Sequence, residues 1–266
     1  MDEWLAISPA SKALAVGLCF LLLLVGERLF PAARPPEQAR FPGPGWRRLL
    51  RNGAFWTLNV ALSLLIVLPL TQAAASAVPA LGTWRPGWWS GTTGLLLDLL
   101  LLDLLIYWWH RANHVVPFLW RFHEVHHRDE FLDVSSAVRF HFGEVALSAL
   151  ARAAIMIPFG FQLPSILAFE TLVLVSAMFH HSNLQLPPWL ERVLSWIVVT
   201  PSIHWVHHHK IRADTDSNYS TILSLWDRLF ASRSPTPRRP SMPIGVEGRS
   251  EESFLRLLAL PFTRRS

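Results

Sequence analysis

Apolar residues fall along this chain in long unbroken runs, the pattern of segments surrounded by lipid and not of elements with one buried face. The first run covers residues 13–30 (ALAVGLCFLLLLVGERLF). At about 1.5 Å of rise per helical residue it approaches the ~30 Å hydrocarbon core of a bilayer. A cleaved signal peptide is the competing reading, but Asp2 and Glu3 make the start acidic and no small-residue cleavage site follows. Further runs cover 53–72 and 88–110, the latter with tryptophans at both ends, as expected of interface anchors. Two more, 145–160 and 163–179, are separated only by Gly160 to Gln162. They predict a full transmembrane hairpin or a shallower re-entrant pair, and both versions return the chain to the face it left.

Composition agrees with the pattern. Of 266 residues 51% are hydrophobic and only 16% charged, a balance that excludes an ordinary water-soluble domain. The net charge of +5 rests on arginines beside apolar runs, which points to membrane orientation and not to nucleic acid. Arg34, Arg40, Arg47, Arg48 and Arg51 stand against Glu37 between the first two runs, whereas 73–87 carries only Arg85. The arginine-rich side is expected to be cytoplasmic, and parity then brings His110, His180 and the C-terminal region to that same side. Residues 234–250, rich in Pro, Ser and Arg, predict irregular structure; 252–262 predict a short amphipathic helix on the lipid surface or a disordered tail.

Candidate chemistry lies in the histidines. All twelve fall between positions 110 and 209, an arrangement that chance placement yields with a probability on the order of 10⁻⁵. They form His110-x-x-x-His114, His123-x-x-His126-His127, the pair His180-His181, and His204-x-x-His207-His208-His209, with His141 between the second and third groups. Spacings of three and four place rings on one helix face, so each group can turn nitrogens toward one point. The lone Cys19 excludes a disulfide or a multi-cysteine metal site. Imidazole suits zinc, copper, iron and nickel, and eight or more converging rings suggest two ions. The bland alternative, interfacial polar residues near headgroups, accounts for one or two histidines but not four spaced groups. His123-Glu124-Val125-His126-His127 also fits the H-E-x-x-H pattern of zinc metalloproteases, with Glu124 as base. That reading leaves the His204, His207 and His208 group unexplained. A non-enzymatic metal carrier is a third class, though a transporter should hold its histidines within the spans. Asp98 and Asp103 lie inside an apolar run, where ionisable groups are costly. Asp103, two turns before His110 on the same face, is a candidate to line a substrate channel or to pair with a buried polar group. Trp205 is a candidate for packing or for a substrate-facing position.

From about Asp98 to Ser232, roughly half the chain, the sequence closely resembles the fatty acid hydroxylase and sterol desaturase superfamily of integral-membrane histidine-rich di-iron oxygenases. The resemblance is carried by HRANH at 110, RFHEVHHRDEFLDVSSAVRFH ending at 141, HHSN at 180, TPSIHWVHHH from 200, Asp216, Asn218-Tyr219 and LWDRLF at 225–230. Motif for motif it is most similar to alkylglycerol monooxygenase-like and bacterial members. It implies an all-α, multi-pass membrane bundle with a cytoplasmic helical cap carrying a di-metal site, divided as 1–90 (N-terminal helices and basic loop), 91–233 (catalytic region) and 234–266 (irregular basic tail). It implies His110, His114, His123, His126, His127, His181, His204, His207 and His208 as ligands of two iron ions, with His180, His141, Glu144 and Asp227 as further ligands or supports. Glu124, Asp129, Asp133, Glu144, Asp214 and Asp227 are expected to hydrogen-bond outer ring nitrogens. It also implies O2 as co-substrate, hydroxylation or desaturation of an unactivated C–H bond in a membrane lipid, and an external electron donor: a reductase, ferredoxin or cytochrome. The chain itself shows no flavin, haem-attachment, Fe–S or nucleotide motif. Serine at 220 and Ala231-Ser232 stand where family members frequently have glycine.

Overall fold

The computed structural model describes residues 9–41, 43, 45–80 and 84–263, and the architecture is all-helical. Asp2 and Glu3, used above against a signal peptide, lie outside the described residues. Helix α1 (Pro9–Leu29) corresponds to the first apolar run. Helices α2 (Trp46–Leu62) and α3 (Leu68–Ala80) continue one another through a π-helical turn at Ser63–Val67. Then come α4 (Gly91–Val115), α5 (Pro117–His127), α6 (Phe142–Phe159) and α7 (Leu163–His181). The shorter α8 (Pro188–Leu194), α9 (Pro201–His207), α10 (Arg212–Thr215), α11 (Leu225–Leu229) and α12 (Phe254–Ala259) complete the chain. Four helical segments among the described residues are long and apolar enough to cross a membrane: Trp46–Val78, Gly91–Val115, Phe142–Phe159 and Leu163–His181. At about 1.5 Å per residue, the last two reach about 27 Å, the length of a spanning hairpin and not of a shallow one.

Helix ends gather at two levels. At one, the C-terminal end of α1, the N-terminal end of α2, the C-terminal ends of α4 and α7 and the N-terminal end of α6 meet the short helices. Glu27 of α1 accepts from the amides of Val134 and Asn183, each at 3.0 Å. Arg48 of α2 reaches Asp129 (2.5 and 2.8 Å) and Asp133 (2.6 Å). Arg47, Arg48 and Arg51, expected in the loop between the first two apolar runs, all lie in α2. Arg48 is buried in this carboxylate cluster and Arg51 pairs with Glu251. At the other level Arg85 and Asp98 pair at 2.8 Å, and Asp98 also accepts from Ser165 and Trp89. Arg85 Nε donates to the carbonyl of Phe159 beside Gly160, which ends α6 in the left-handed conformation (φ 65°). Asp98 is thus a saturated clamp between the α3–α4 connection and the α6–α7 turn.

The segment 252–262, expected to lie on lipid or to be disordered, is instead packed into the cap. Leu257 of α12 is fully buried with Phe55 and Val125, and Phe254 meets Phe55 edge-on at 5.0 Å. Glu251 and Glu252 pair with Arg139 and Arg128. An apolar stripe that finds a partner on the cap has no need of the bilayer.

Candidate metal centre

Each histidine group rides on an element whose local sequence fixes its direction. Pro117 at the first position of α5, after the extended Val116, separates α5 from α4 and starts a new helix. His110 and His114 therefore hang from the last turns of α4, and His123, His126 and His127 from the last turns of α5. Pro201 starts α9 in the same way, ahead of His204 and His207. α7 carries His180 and His181 at its end.

These ends converge. His110, His114, His123, His127 and His207 form one group and His126, His181, His204 and His208 a second, with the ligand-type nitrogens of each group all within 4.8 Å of one another. The nine histidines named from the sequence are the nine brought together. The two groups adjoin, with the rings of His127 and His208 stacked at 4.2 Å. His180 is buried against His204, its ring centroid 4.0 Å away, but belongs to neither group. His141 caps α6: Nδ1 accepts from the Gly143 amide (2.9 Å) and Nε2 donates to the Leu258 carbonyl (3.0 Å). Both of its nitrogens are committed, so the expectation that it serves as ligand or support is corrected to a helix cap.

The outer nitrogens are held mainly by main-chain carbonyls and not by the expected carboxylates. His110, His126, His181 and His207 donate from Nδ1 to the carbonyls of Tyr219 (2.7 Å), Arg139 (3.1 Å), Ala177 (2.7 Å) and Ser217 (2.6 Å). Among the expected acids only Glu144 takes such a bond, from His123 Nδ1 at 2.8 Å. Glu124 is engaged by Arg128, Asp129 and Asp133 by Arg48, and Asp214 by His209. Asp227 accepts from the amides of Tyr219 (2.8 Å) and Ser220 (3.0 Å). It acts one step out, holding the loop whose Tyr219 carbonyl orients His110. Ser232 hydrogen-bonds Asp227 and Tyr107, while Ala231 takes φ 52°, a conformation glycine adopts without strain. Carbonyl acceptors are invisible in a sequence, since every residue has one; the Asn218-Tyr219 motif was the only signal of this loop.

Two channel candidates lie elsewhere. Asp103 accepts from the amides of Ile222 and Leu223 and from Trp226 Nε1 (3.2, 3.0 and 2.8 Å), so it ties α4 to the segment before α11. Trp205 is buried against Phe131 and beneath the Arg238 guanidinium. One cavity, about 290 Å³, lies between α4 and α6 over Phe169 of α7. Leu105, Ile106, Trp109, Ala151 and Ile155 line it, with Arg152 at its wall. It occupies a face of α4 turned away from the His110 and His114 face. On α6 its end at Ser148 lies one turn from Glu144, the acceptor of His123.

The donor set suits metal ions. A carbonyl only accepts, so every ring that donates from Nδ1 presents an Nε2 lone pair inward. Facing Nε2 atoms stand 2.9–3.2 Å apart: His204 and His181, His126 and His181, His208 and His204, His123 and His127. Metal–nitrogen bonds of about 2.0–2.1 Å at right or tetrahedral angles put ligand nitrogens about 2.8–3.4 Å apart. His207 Nε2 and both nitrogens of His114 are buried with no hydrogen-bond partner. Burial, followed by the charges of neighbouring imidazoles, pushes His127, His204 and His208 well below the ordinary titration range. His126 and His207 are lowered for the same reasons, partly offset by their carbonyl acceptors. Neutral rings are the form that binds metal.

A helical bundle with four segments long and apolar enough to cross a membrane carries, at one end, nine histidines grouped so that they could hold metal ions. The chain belongs to the fatty acid hydroxylase family, whose pattern matches residues 95–232. It is 31% identical to ornithine lipid hydroxylase OlsE of Rhizobium tropici over 195 residues, 72% of this chain and 58% of that protein. It is 34% identical to alkylglycerol monooxygenase of Danio rerio over 153 residues, 56% of this chain and 30% of that protein. A third relative is very-long-chain aldehyde decarbonylase GL1-7 of Oryza sativa subsp. japonica, 29% identical over 52% of this chain and 23% of its own length. No solved structure matches the chain.

Proposed function

We propose that this protein is a membrane-bound, O2-dependent lipid oxygenase that hydroxylates, or desaturates, an unactivated C–H bond, with two iron ions held by the nine grouped histidines. The observation that carries the reading is the pair of adjoining all-histidine groups whose inward nitrogens face one another or, at His114 and His207, have no hydrogen-bond partner, in a chain of the fatty acid hydroxylase family. The ions would supply O2 activation with electrons from an external reductase, ferredoxin or cytochrome. The remaining work belongs to the chain. His110, His114, His123, His127 and His207 would hold one ion and His126, His181, His204 and His208 the other. The Tyr219, Arg139, Ala177 and Ser217 carbonyls and Glu144 fix the ring tautomers so that Nε2 faces inward. Because most of these acceptors are uncharged, they leave the centre more positive than carboxylates would. The α4–α6 cleft would take the apolar chain of a lipid already dissolved in the bilayer, and burial of the histidines excludes bulk water from the reaction. The arginine distribution supports a cytoplasmic cap, histidine site and C-terminus.

The test is elemental analysis of detergent-purified protein, followed by a lipid screen under O2 with a chemical reductant and mass detection of oxygenated or desaturated product. About two irons per chain, reduced in both His126→Ala and His207→Ala, with product formation that requires O2, is the expected result. One zinc per chain retained in His207→Ala would overturn it in favour of the H-E-x-x-H hydrolase.

A further inference from the structure

A second cavity, about 350 Å³, lies on the side of α9 away from the histidines, between that helix and residues 233–238. Its wall carries two cations, Arg233 and Arg238, with the polar side chains of Ser202, Ser234 and Thr236, and no carboxylate. Arg238 is the unusual member. Its guanidinium lies over the Trp205 ring at 4.1 Å, Nη1 reaches the Leu184 carbonyl at 3.4 Å, and Nε and Nη2 are buried with no hydrogen-bond partner. Neither Arg233 nor Arg238 makes an ion pair among the described residues. Of the acids around the cavity, Glu191 accepts from Thr200 and Ser202 and its charge acts on Arg238, and Asp214 accepts from His209, Ser234 and Thr236.

A guanidinium drawn partly out of water without an ion pair is costly unless an anion completes it, and its planar fork matches phosphate or carboxylate oxygens. The volume selects among anions. At about 30 Å³ per water the cavity has room for about twelve waters, far more than a bare ion needs and suited to a headgroup. Its position agrees. Leu184 follows the membrane-level end of α7, and beyond it Trp189, Val193, Trp196 and Ile197 stand exposed in and after α8, as residues do that sit among headgroups. The geometry points to a phosphate site in this cavity that holds the headgroup of an anionic phospholipid through Arg233 and Arg238. The site stands apart from the proposed oxygenase chemistry and does not depend on it.

The full-length protein is delipidated in detergent and placed in phosphatidylcholine nanodiscs containing increasing phosphatidylglycerol. Bound lipid is counted by native mass spectrometry, with inorganic phosphate as competitor. Wild type is expected to retain about one phosphatidylglycerol saturably, and the Arg233→Gln/Arg238→Gln variant to bind it at least ten-fold more weakly. Displacement by millimolar phosphate would show that the phosphate group alone is recognised; resistance to it would show that the headgroup and its chains are needed. Arg238 also packs on Trp205, so the exposed Arg233→Gln alone and the charge-retaining Arg238→Lys serve as variants that keep the cap folded, checked by unchanged metal content. Both should weaken retention. Equal binding by wild type and all variants, or no preference for phosphatidylglycerol over phosphatidylcholine, overturns the proposal.

Discussion

The Nε2 atoms of His126 and His181 face one another across 3.0 Å while both Nδ1 atoms are committed to main-chain carbonyls, those of Arg139 and Ala177. Each neutral ring therefore presents a lone pair to the other, an arrangement that repels unless a cation stands between them. Around His126, burial and the neighbouring imidazoles disfavour a proton, so a metal ion is the cation that fits. Chelation should consequently destabilise the protein. The expected outcome is a fall in thermal midpoint on treatment with a strong chelator, restored by ferrous iron, and no such fall in a His126→Ala/His207→Ala variant that has already lost the ions.

Acid should act on the metal-free chain through the same rings. In the folded protein His126, His127, His204, His207 and His208 stay neutral well below the ordinary histidine value of about 6.5, whereas in the unfolded chain they take up protons near it. The unfolded state thus binds more protons below about pH 6.5. Stability is full above that value and declines as pH falls through it. Urea unfolding of chelated protein between pH 8 and 5 should show a decreasing midpoint, and a midpoint that rises on acidification would contradict the neutral-ring assignment.

Arg48 anchors the cap to α2 through Asp129 and Asp133, all three buried. Burial alone would raise the Asp129 carboxyl, but the charges of Arg48 and Arg139 and the bonds from Arg48 and Ser136 hold it below the usual carboxylate range. Arg48→Ala leaves two buried carboxylates without their cation, at a cost of about 3–5 kcal/mol. Thermal unfolding in detergent should show the loss, and Arg48→Lys should recover only part of it, since a point charge cannot replace the forked contacts.

The histidine groups were legible in the sequence because ligation restricts residue type and helical spacing restricts position, and all nine proposed ligands sit in the two groups. The long helices were legible for a similar reason, since lipid-facing segments are apolar around their whole circumference. What supports the rings was not. A carbonyl acceptor leaves no mark on residue identity, and the nearby acids named from sequence proximity, Glu124, Asp129, Asp133 and Asp214, turn out to serve other partners. Arg48 read as a loop charge because positive-inside counting records the side of the membrane and not burial. The tail at 252–262 read as lipid-facing or disordered, and only the fold shows that Phe55 and Val125 lie opposite its apolar stripe.

Glu144 and Asp103 separate positioning of the centre from anchoring of the cap. Glu144 is the one carboxylate that accepts from a grouped histidine, so Glu144→Gln should lower metal affinity about 10–100-fold with little change in the unfolding of the metal-free protein. Asp103 holds two amides and an indole, and Asp103→Ala should cost at least about 1–3 kcal/mol while leaving the affinity of the residual folded protein near wild type. Metal titration beside thermal unfolding distinguishes the pair, and equal effects of both on affinity would refute the division.

The α4–α6 cleft gives a test of where the lipid chain lies. Ala151 lines it on α6, opposite Ile106 and Trp109 of α4, and none of the three is among the grouped histidines or their acceptors. Ala151→Phe fills part of a cavity of about 290 Å³ without touching the ring that Glu144 supports. Overpacking of this kind costs about 1–3 kcal/mol where no room exists; here the side chain has space to enter, so iron content and unfolding should stay close to wild type. Turnover of a long-chain lipid should fall at least ten-fold, and that of a short-chain analogue much less, because only the longer chain needs the depth now blocked. Product formation measured for both lengths decides it: an equal loss for the two would mean that the cleft does not hold the chain, and an unchanged rate for both would place the lipid on another face of the bundle.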